Sequence, residues 1–133
     1  MGATVTMAER WEMLDHVILN IRDYAASKRF YEGALASLDY EVIIELDGSC
    51  GFGQHGKPDF WIAQRGNAHT DVHVAFASPD RASVDRFHAA ALAAGGEDNG
   101  APGLRPHYHE QYYAAFVRDP DGNNIEAVCH RPE

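Results

Sequence analysis

Two hydrophobic rhythms alternate along the chain. Over residues 15–21 and again over 72–77, apolar and polar side chains take turns, the period-two pattern of strands with one buried face. Over 23–37 and 79–94, apolar residues instead recur every three or four positions, which predicts helices. Phe30, Ala34, Leu35 and Leu38 form one stripe; Val84, Phe87, Ala91 and Leu92 form another. Asp23 is placed to cap the first helix. Ser78 followed by Pro79 predicts a cap and first helical position for the second, and Gly95-Gly96 ends it. Extended segments follow each helix. They are 40–46, 49–54 and 59–64 in the first half, then a weak stretch near 97–100, 112–119 and 124–130 in the second. Turn residues at Asp47-Gly48, Gly56-Lys57-Pro58 and Asp121-Gly122 separate them.

The two halves are copies of one unit. Shifting the sequence by 57 residues aligns "HVILNIRDYAASKRFYEGALA" (16–36) with "HVAFASPDRASVDRFHAAALA" (73–93), with nine identities in 21 positions and no gap. Chance gives about one or two, so a βαβββ unit has been duplicated. The predicted class is α+β, one domain over 13–133, with module one at 13–66 and module two at 70–130. Residues 66–71 link them, and 98–111 form a long loop containing Gly and Pro, the kind that often carries function. Residues 1–12 read as an N-terminal arm that packs on the domain or on a partner chain.

Composition narrows the function classes. A formal charge of −9 argues against nucleic acid and anionic membrane as partners, because phosphate binding needs clustered Lys and Arg. No apolar run approaches the roughly 18–20 residues of a membrane span, and no signal peptide is recognisable. Two cysteines, Cys50 and Cys129, make no disulfide framework, so a reducing cytoplasm is expected. Histidine is abundant, at eight residues, and its placement is what matters.

Strand parity assigns faces. Val17, Leu19 and Ile21 belong under the first helix, which sends His16 to the opposite face. Val72, Val74 and Phe76 do the same for His73. In the last strand Ile125, Ala127 and Cys129 alternate with Glu126, so Glu126 can join the two histidines. A carboxylate inside an apolar strand needs a partner. Two imidazoles and one carboxylate form a metal site with open positions, suited to Fe, Mn, Zn, Ni or Co as divalent ions. Ordinary hydrogen-bonded strand histidines are the competing reading.

The paired units, "HVILNIRD…SKRFYEGAL" and the closing "FVRDPDGNNIEAV" resemble the vicinal oxygen chelate superfamily over roughly residues 13–130. That superfamily holds glyoxalase I, bleomycin-resistance proteins, fosfomycin-resistance enzymes and extradiol dioxygenases. The resemblance implies two modules curving into an open, barrel-like sheet around one concave site, with helices outside. It also implies metal ligands from the first and last strands of the modules, here His16, His73 and Glu126. Glyoxalase I-like members take a fourth ligand, a glutamate, from the last strand of module one. Aligning the glycine turns sets Phe60 against Glu126, and Phe60 cannot ligate. This points to a three-ligand site or an aromatic-walled pocket.

Further candidates lie nearby in sequence. His107, His109 and Tyr113 are candidate catalytic acids or bases. Phe60, Trp61, Arg105, Tyr108 and Tyr112 are candidate substrate-binding residues; core packing or exposed loop polarity would account for the same residues. The function expected is that of a metal-dependent lyase, isomerase or dioxygenase acting on a small oxygenated molecule by bidentate chelation. The alternative is metal-free sequestration of a small molecule, such as an antibiotic, as in bleomycin resistance. Because each module of about 55 residues is too small for a good core alone, modules must pair within or between chains. A two-fold homodimer with two equivalent sites is expected.

Overall fold

The computed structural model describes residues 13–133, so the arm at 1–12 lies outside the described residues. The elements run β1 (Val17–Asn20), α1 (Tyr24–Ala36), β2 (Glu41–Leu46), β3 (Ser49–Gln54), β4 (Lys57–Ala63), β5 (His73–Ala77), α2 (Arg81–Ala93), β6 (Glu97–Leu104), β7 (Tyr113–Arg118) and β8 (Asn124–Cys129). This is βαβββ twice, as the repeat predicts. Each module forms an open four-stranded mixed sheet, ordered β1-β4-β3-β2 and β5-β8-β7-β6. In each, the first strand pairs parallel with the last and the other pairings are antiparallel. Neither sheet closes into a barrel. Among the described residues no helix is long and apolar enough to cross a membrane.

The first helix starts as predicted: the Asp23 carboxylate accepts from the Ala26 N–H at 3.2 Å. The second does not. Its cap is Asp80, whose Oδ1 accepts from the Ser83 N–H at 2.8 Å and from its hydroxyl at 2.7 Å. Ser78 is still part of the sheet, with its N–H bonded to the Val128 carbonyl at 2.8 Å. The chain therefore needs two more residues to turn. A carboxylate also suits the positive end of a helix better than a hydroxyl does. The weak stretch near 97–100 is in fact an eight-residue strand, β6, with two register breaks where Gly100 and Pro102 interrupt the ladder. The predicted loop shrinks to about residues 105–112.

The helix-bearing faces of both sheets share one core. Leu19, Phe52, Phe60 and Ile62 of module one meet Phe76, Val117, Ile125 and Ala127 of module two, with Phe30, Leu35, Val84 and Phe87 from the helices. Phe76 stands edge-on to Phe60, with centroids 5.2 Å apart, and to Tyr40 at 5.8 Å. Cys50 and Cys129 are unpaired and buried in this core.

A polar clasp crosses the same interface. Asp119, 5% exposed, accepts from the N–H groups of Asp121 and Asn123, each at 2.9 Å, and from the Tyr31 hydroxyl of α1. Asn123 in turn donates to the His69 carbonyl at 2.7 Å and accepts from the Val72 N–H at 2.9 Å. The buried carboxylate is thus fully occupied with donors, which is what keeps a charge tolerable inside. The turn in "DPDGN" is fastened to the other module.

This arrangement decides where a site can form. The helix-bearing sides contribute to one core, and each sheet's other face lines a cavity of its own. Among the described residues, the three expected ligands His16, His73 and Glu126 are not gathered into one cluster.

Candidate functional site

Module two presents a compact cluster. His73 on β5 and Glu126 on β8 share the open face, and His73 Nε2 lies 2.7 Å from Glu126 Oε1. Glu126 is 1% exposed. Its other oxygen accepts from the Tyr112 hydroxyl. Burial, and then the neighbouring carboxylate, push the Tyr112 hydroxyl well above its ordinary value, so it stays a protonated donor. His107 and Tyr108 complete a cavity of about 480 Å³ with His73, Tyr112 and Glu126.

Module one presents the other half. His16 lies just before β1, and its Nδ1 is 2.7 Å from Asp15 Oδ1. That contact leaves Nε2 as the nitrogen available to a metal, the way ligating histidines are usually oriented. Lys57 donates to the Asp15 carbonyl at 2.7 Å and comes within 3.8 Å of its carboxylate. The His16 hydrogen bond, then Lys57, hold the Asp15 carboxyl below its ordinary value. His16, Ile18, Lys57, Pro58, Trp61 and Arg65 line a cavity of about 860 Å³.

Of the three expected ligands, His73 and Glu126 are brought together and His16 is not. Among the described residues no cluster of three or more His, Cys, Asp or Glu is placed to hold a metal ion. Two other expectations are corrected. Phe60 is no pocket wall: it is 3% exposed, in the core against Tyr31, Phe52 and Phe76. Tyr113 points to the helix side, where its hydroxyl donates to Asp85 of α2 at 2.6 Å and Arg81 covers its ring.

The remaining candidates take different roles in the two modules. Trp61, His107, Tyr108 and Tyr112 line open-face cavities. Arg105 is tied to the carbonyls of Gly103 and Ala101 at 2.9 and 2.8 Å and lies over the Phe116 ring, so it braces its loop. His109 lies at the rim, stacked on His130 with 2.6 Å between ring nitrogens.

The misplacement of Phe60 has a cause in β4. Phe52 pairs with Phe60, but Gly53 pairs with Pro58, so Asp59 is an extra residue in a bulge. A Cβ at Gly53 would come 1.8 Å from the Lys57 carbonyl oxygen, so only glycine fits there. β8 has no such break against β7. Counting from the histidines, Ile18 pairs with Trp61 as Ala75 pairs with Glu126. Trp61, not Phe60, holds the position that Glu126 holds in module two. The reading of a non-ligating aromatic there stands, with a different residue. Sequence reasoning missed Asp15 and Lys57 as partners of His16; the adjacency of an acid and a histidine was the available signal.

Comparison with known proteins bears on the family and the fold. Residues 13–127 match the family profile described as Glyoxalase/Bleomycin resistance protein/Dioxygenase superfamily. No curated protein matches the chain. Among solved structures, a glyoxalase/bleomycin resistance protein from Albidiferax ferrireducens T118 is 30% identical, covers 89% of this chain and 99% of its own, and superposes with a TM-score of 0.80. A glyoxalase/bleomycin resistance protein/dioxygenase family enzyme from Burkholderia phytofirmans PsJN is 20% identical, with 88% and 98% coverage and a TM-score of 0.69. The fosfomycin resistance protein FosX from Mesorhizobium loti is 20% identical, with 90% and 93% coverage and a TM-score of 0.65. With a duplicated βαβββ unit, matching sheet order and a profile match over nearly the whole described chain, the protein belongs to the glyoxalase/bleomycin resistance protein/dioxygenase superfamily.

Proposed function

We propose that the protein is a metal-dependent enzyme acting on a small oxygenated molecule, at a site completed by a second copy of the chain. His16 of one copy and His73 with Glu126 of the other would hold a divalent ion. The observation that carries this reading is the division of the donor set. One open face has an imidazole and a buried carboxylate 2.7 Å apart, and the other has an imidazole oriented by Asp15. The donors suit a divalent first-row metal. Such an ion, when bound, supplies Lewis acidity to adjacent substrate oxygens. The chain's own groups do the rest. Tyr112 fixes the orientation of Glu126, Asp15 that of His16, and His107 lines the cavity as an acid or base for the ligand.

A two-fold dimer would bring each half-site to its complement and create two equivalent sites. Met13, Leu14 and Val17, exposed at 97%, 71% and 37%, flank His16 and offer apolar surface for a partner to cover. The unpaired buried thiols suit a reducing cytoplasm.

Metal analysis of protein purified without chelators tests the reading. About one divalent ion per chain is expected, with affinity falling at least about tenfold in Glu126→Gln and His16→Ala while the melting temperature moves little. Failure of the unmodified protein to retain or take up any divalent metal overturns it. A second reading, metal-free sequestration of a small molecule, has its own support. Tyr112 and His73 already satisfy Glu126 without a metal, and an indole occupies the matching position of module one. Resistance is also the role that the fosfomycin resistance neighbour's name gives that protein. Tight ligand binding that survives chelator would favour this second reading.

A further inference from the structure

We infer that Gly51 is a specificity-determining residue: by leaving the sheet surface bare it seats the Trp61 indole as an aromatic floor, and the site thereby selects planar aromatic acids. The inference rests on the module-one open face being a wall of the ligand site, and not on a metal being held.

Gly51 on β3 is the direct cross-strand partner of Trp61 on β4. Cross-strand partners project side by side from the same face. Here one of the two has no side chain, and the indole occupies its place. A Cβ at Gly51 would lie 2.8 and 2.9 Å from Cε2 and Cζ2 of the ring and 2.9 Å from the Cβ of Pro58. Any larger residue would therefore push the indole off its seat. Module two does the opposite at the equivalent pair, where Phe116 stands opposite Glu126. The glycine and the indole thus form a coupled pair peculiar to one half of the duplication. Support of a bare glycine by an aromatic neighbour is a known stabilising device in sheets. What points beyond it is the setting: the half-buried indole lines a cavity of about 860 Å³, within the range that takes small ligands.

The polar lining indicates the second feature of the ligand. The ionisable residues facing this cavity are Asp15, His16, Asp47, His55, Lys57 and Arg65. Asp15 is committed to His16 and Lys57, so its charge is matched. Asp47 sits on the exposed turn between β2 and β3. Arg65 is anchored through Nε to the Asn20 side chain at 3.2 Å, which holds its guanidinium at the cavity wall with Nη donors to offer. A flat ring on Trp61 with a carboxylate toward Arg65 uses both features. The overall negative charge of the chain does not govern this wall, where the uncommitted side chain with fork geometry is a cation.

The test compares 2-naphthoate with decahydro-2-naphthoate, equal in charge and carbon skeleton but not in flatness. Binding to the full chain is followed by calorimetry in the presence of a chelator, which keeps the result independent of any metal. The flat acid is expected to bind about fivefold more tightly, as ring stacking adds to simple burial. Trp61→Leu should erase that preference, and Gly51→Ala should shrink it toward unity. Arg65→Gln should weaken both acids by about the same factor, roughly tenfold. Equal binding of the two acids, no binding of 2-naphthoate at millimolar concentration, or a preference that survives Trp61→Leu overturns the inference. So does loss of the naphthoate site at concentrations where chains pair, because a second copy would then be filling the face. If Gly51→Ala does not fold, the Trp61→Leu comparison decides alone.

Discussion

Tyr31 sits on a helix of one module, but its hydroxyl belongs to the other. It donates to Asp119 from a site with 0% exposure, and burial, then the Asp119 charge, raise its pKa well above the ordinary 10.0. Tyr24 and Tyr112 are raised by the same causes, burial first and then a hydrogen-bonded carboxylate, Glu45 or Glu126. Above about pH 10 the unfolded chain therefore holds fewer protons than the folded one. Stability from these hydroxyls is complete below that pH and is lost as pH rises through the raised folded values. The melting temperature should accordingly fall steeply above about pH 10, with phenolate absorbance rising along with loss of ellipticity. In Tyr31→Phe the alkaline fall should be shallower; an unchanged slope would contradict the assignment.

Individual residues were legible where alternation is unbroken. His73 and Glu126 share the face that parity assigns them because β5 and β8 keep strict period-two pairing. Tyr112 and Tyr113 are adjacent, and parity alone could not say which faced the cavity. The structure gives Tyr112 to Glu126 and Tyr113 to Asp85.

Elements show the same dependence on regular spacing. Both helices announced themselves because each has a buried stripe, and the repeat made one support the other. The irregular features stayed hidden. A bulge at Asp59 reverses every later face in β4, and no propensity marks it, since the demand is met by Gly53 on the neighbouring strand. β6 was nearly invisible because its Gly and Pro content reads as loop. The turn from α2 into β6 supplies the element-scale test. A Cβ at Gly96 would lie 2.4 Å from Val117 Cγ1 and 2.5 Å from Phe30 Cε1, so helix, strand and the opposite module all crowd that point. Gly96→Ala should lower stability by about 1–3 kcal/mol in urea titrations. Gly48→Ala, on an open turn with φ +78 and nothing within 4 Å, should cost only about 1 kcal/mol, from backbone strain alone. Equal costs would mean that the shared core can yield at Gly96.

At the scale of the whole molecule, the separation of His16 from His73 and Glu126 makes a prediction about mixtures. His16→Ala and Glu126→Gln chains are each expected to lack complete sites as pure proteins. If sites form between copies, random re-pairing of an equal mixture yields mixed dimers for half the population, each with one intact site. About a quarter of the metal capacity should return on mixing. If the three ligands instead meet within one chain, mixing restores nothing. Light scattering on the same samples should give the mass of two chains, and a mass near one chain would remove the basis for a shared site.

The core shared by the modules also divides the chain into positions that can change and positions that cannot. A helix-side residue such as Phe60 or Phe76 answers to two sheets at once, so any replacement must satisfy both halves of the duplication together. An open-face residue answers only to its own pleat and whatever lies in the cavity. Since the ancestral unit doubled, one half has come to carry an indole where the other carries a carboxylate, and a glycine where the other carries Phe116. Those exchanges kept the sheet order, at the cost of one bulge in β4 that β8 lacks. The duplication thus gave one core two separately variable surfaces, and new ligand chemistry can be tried on either without renegotiating that core.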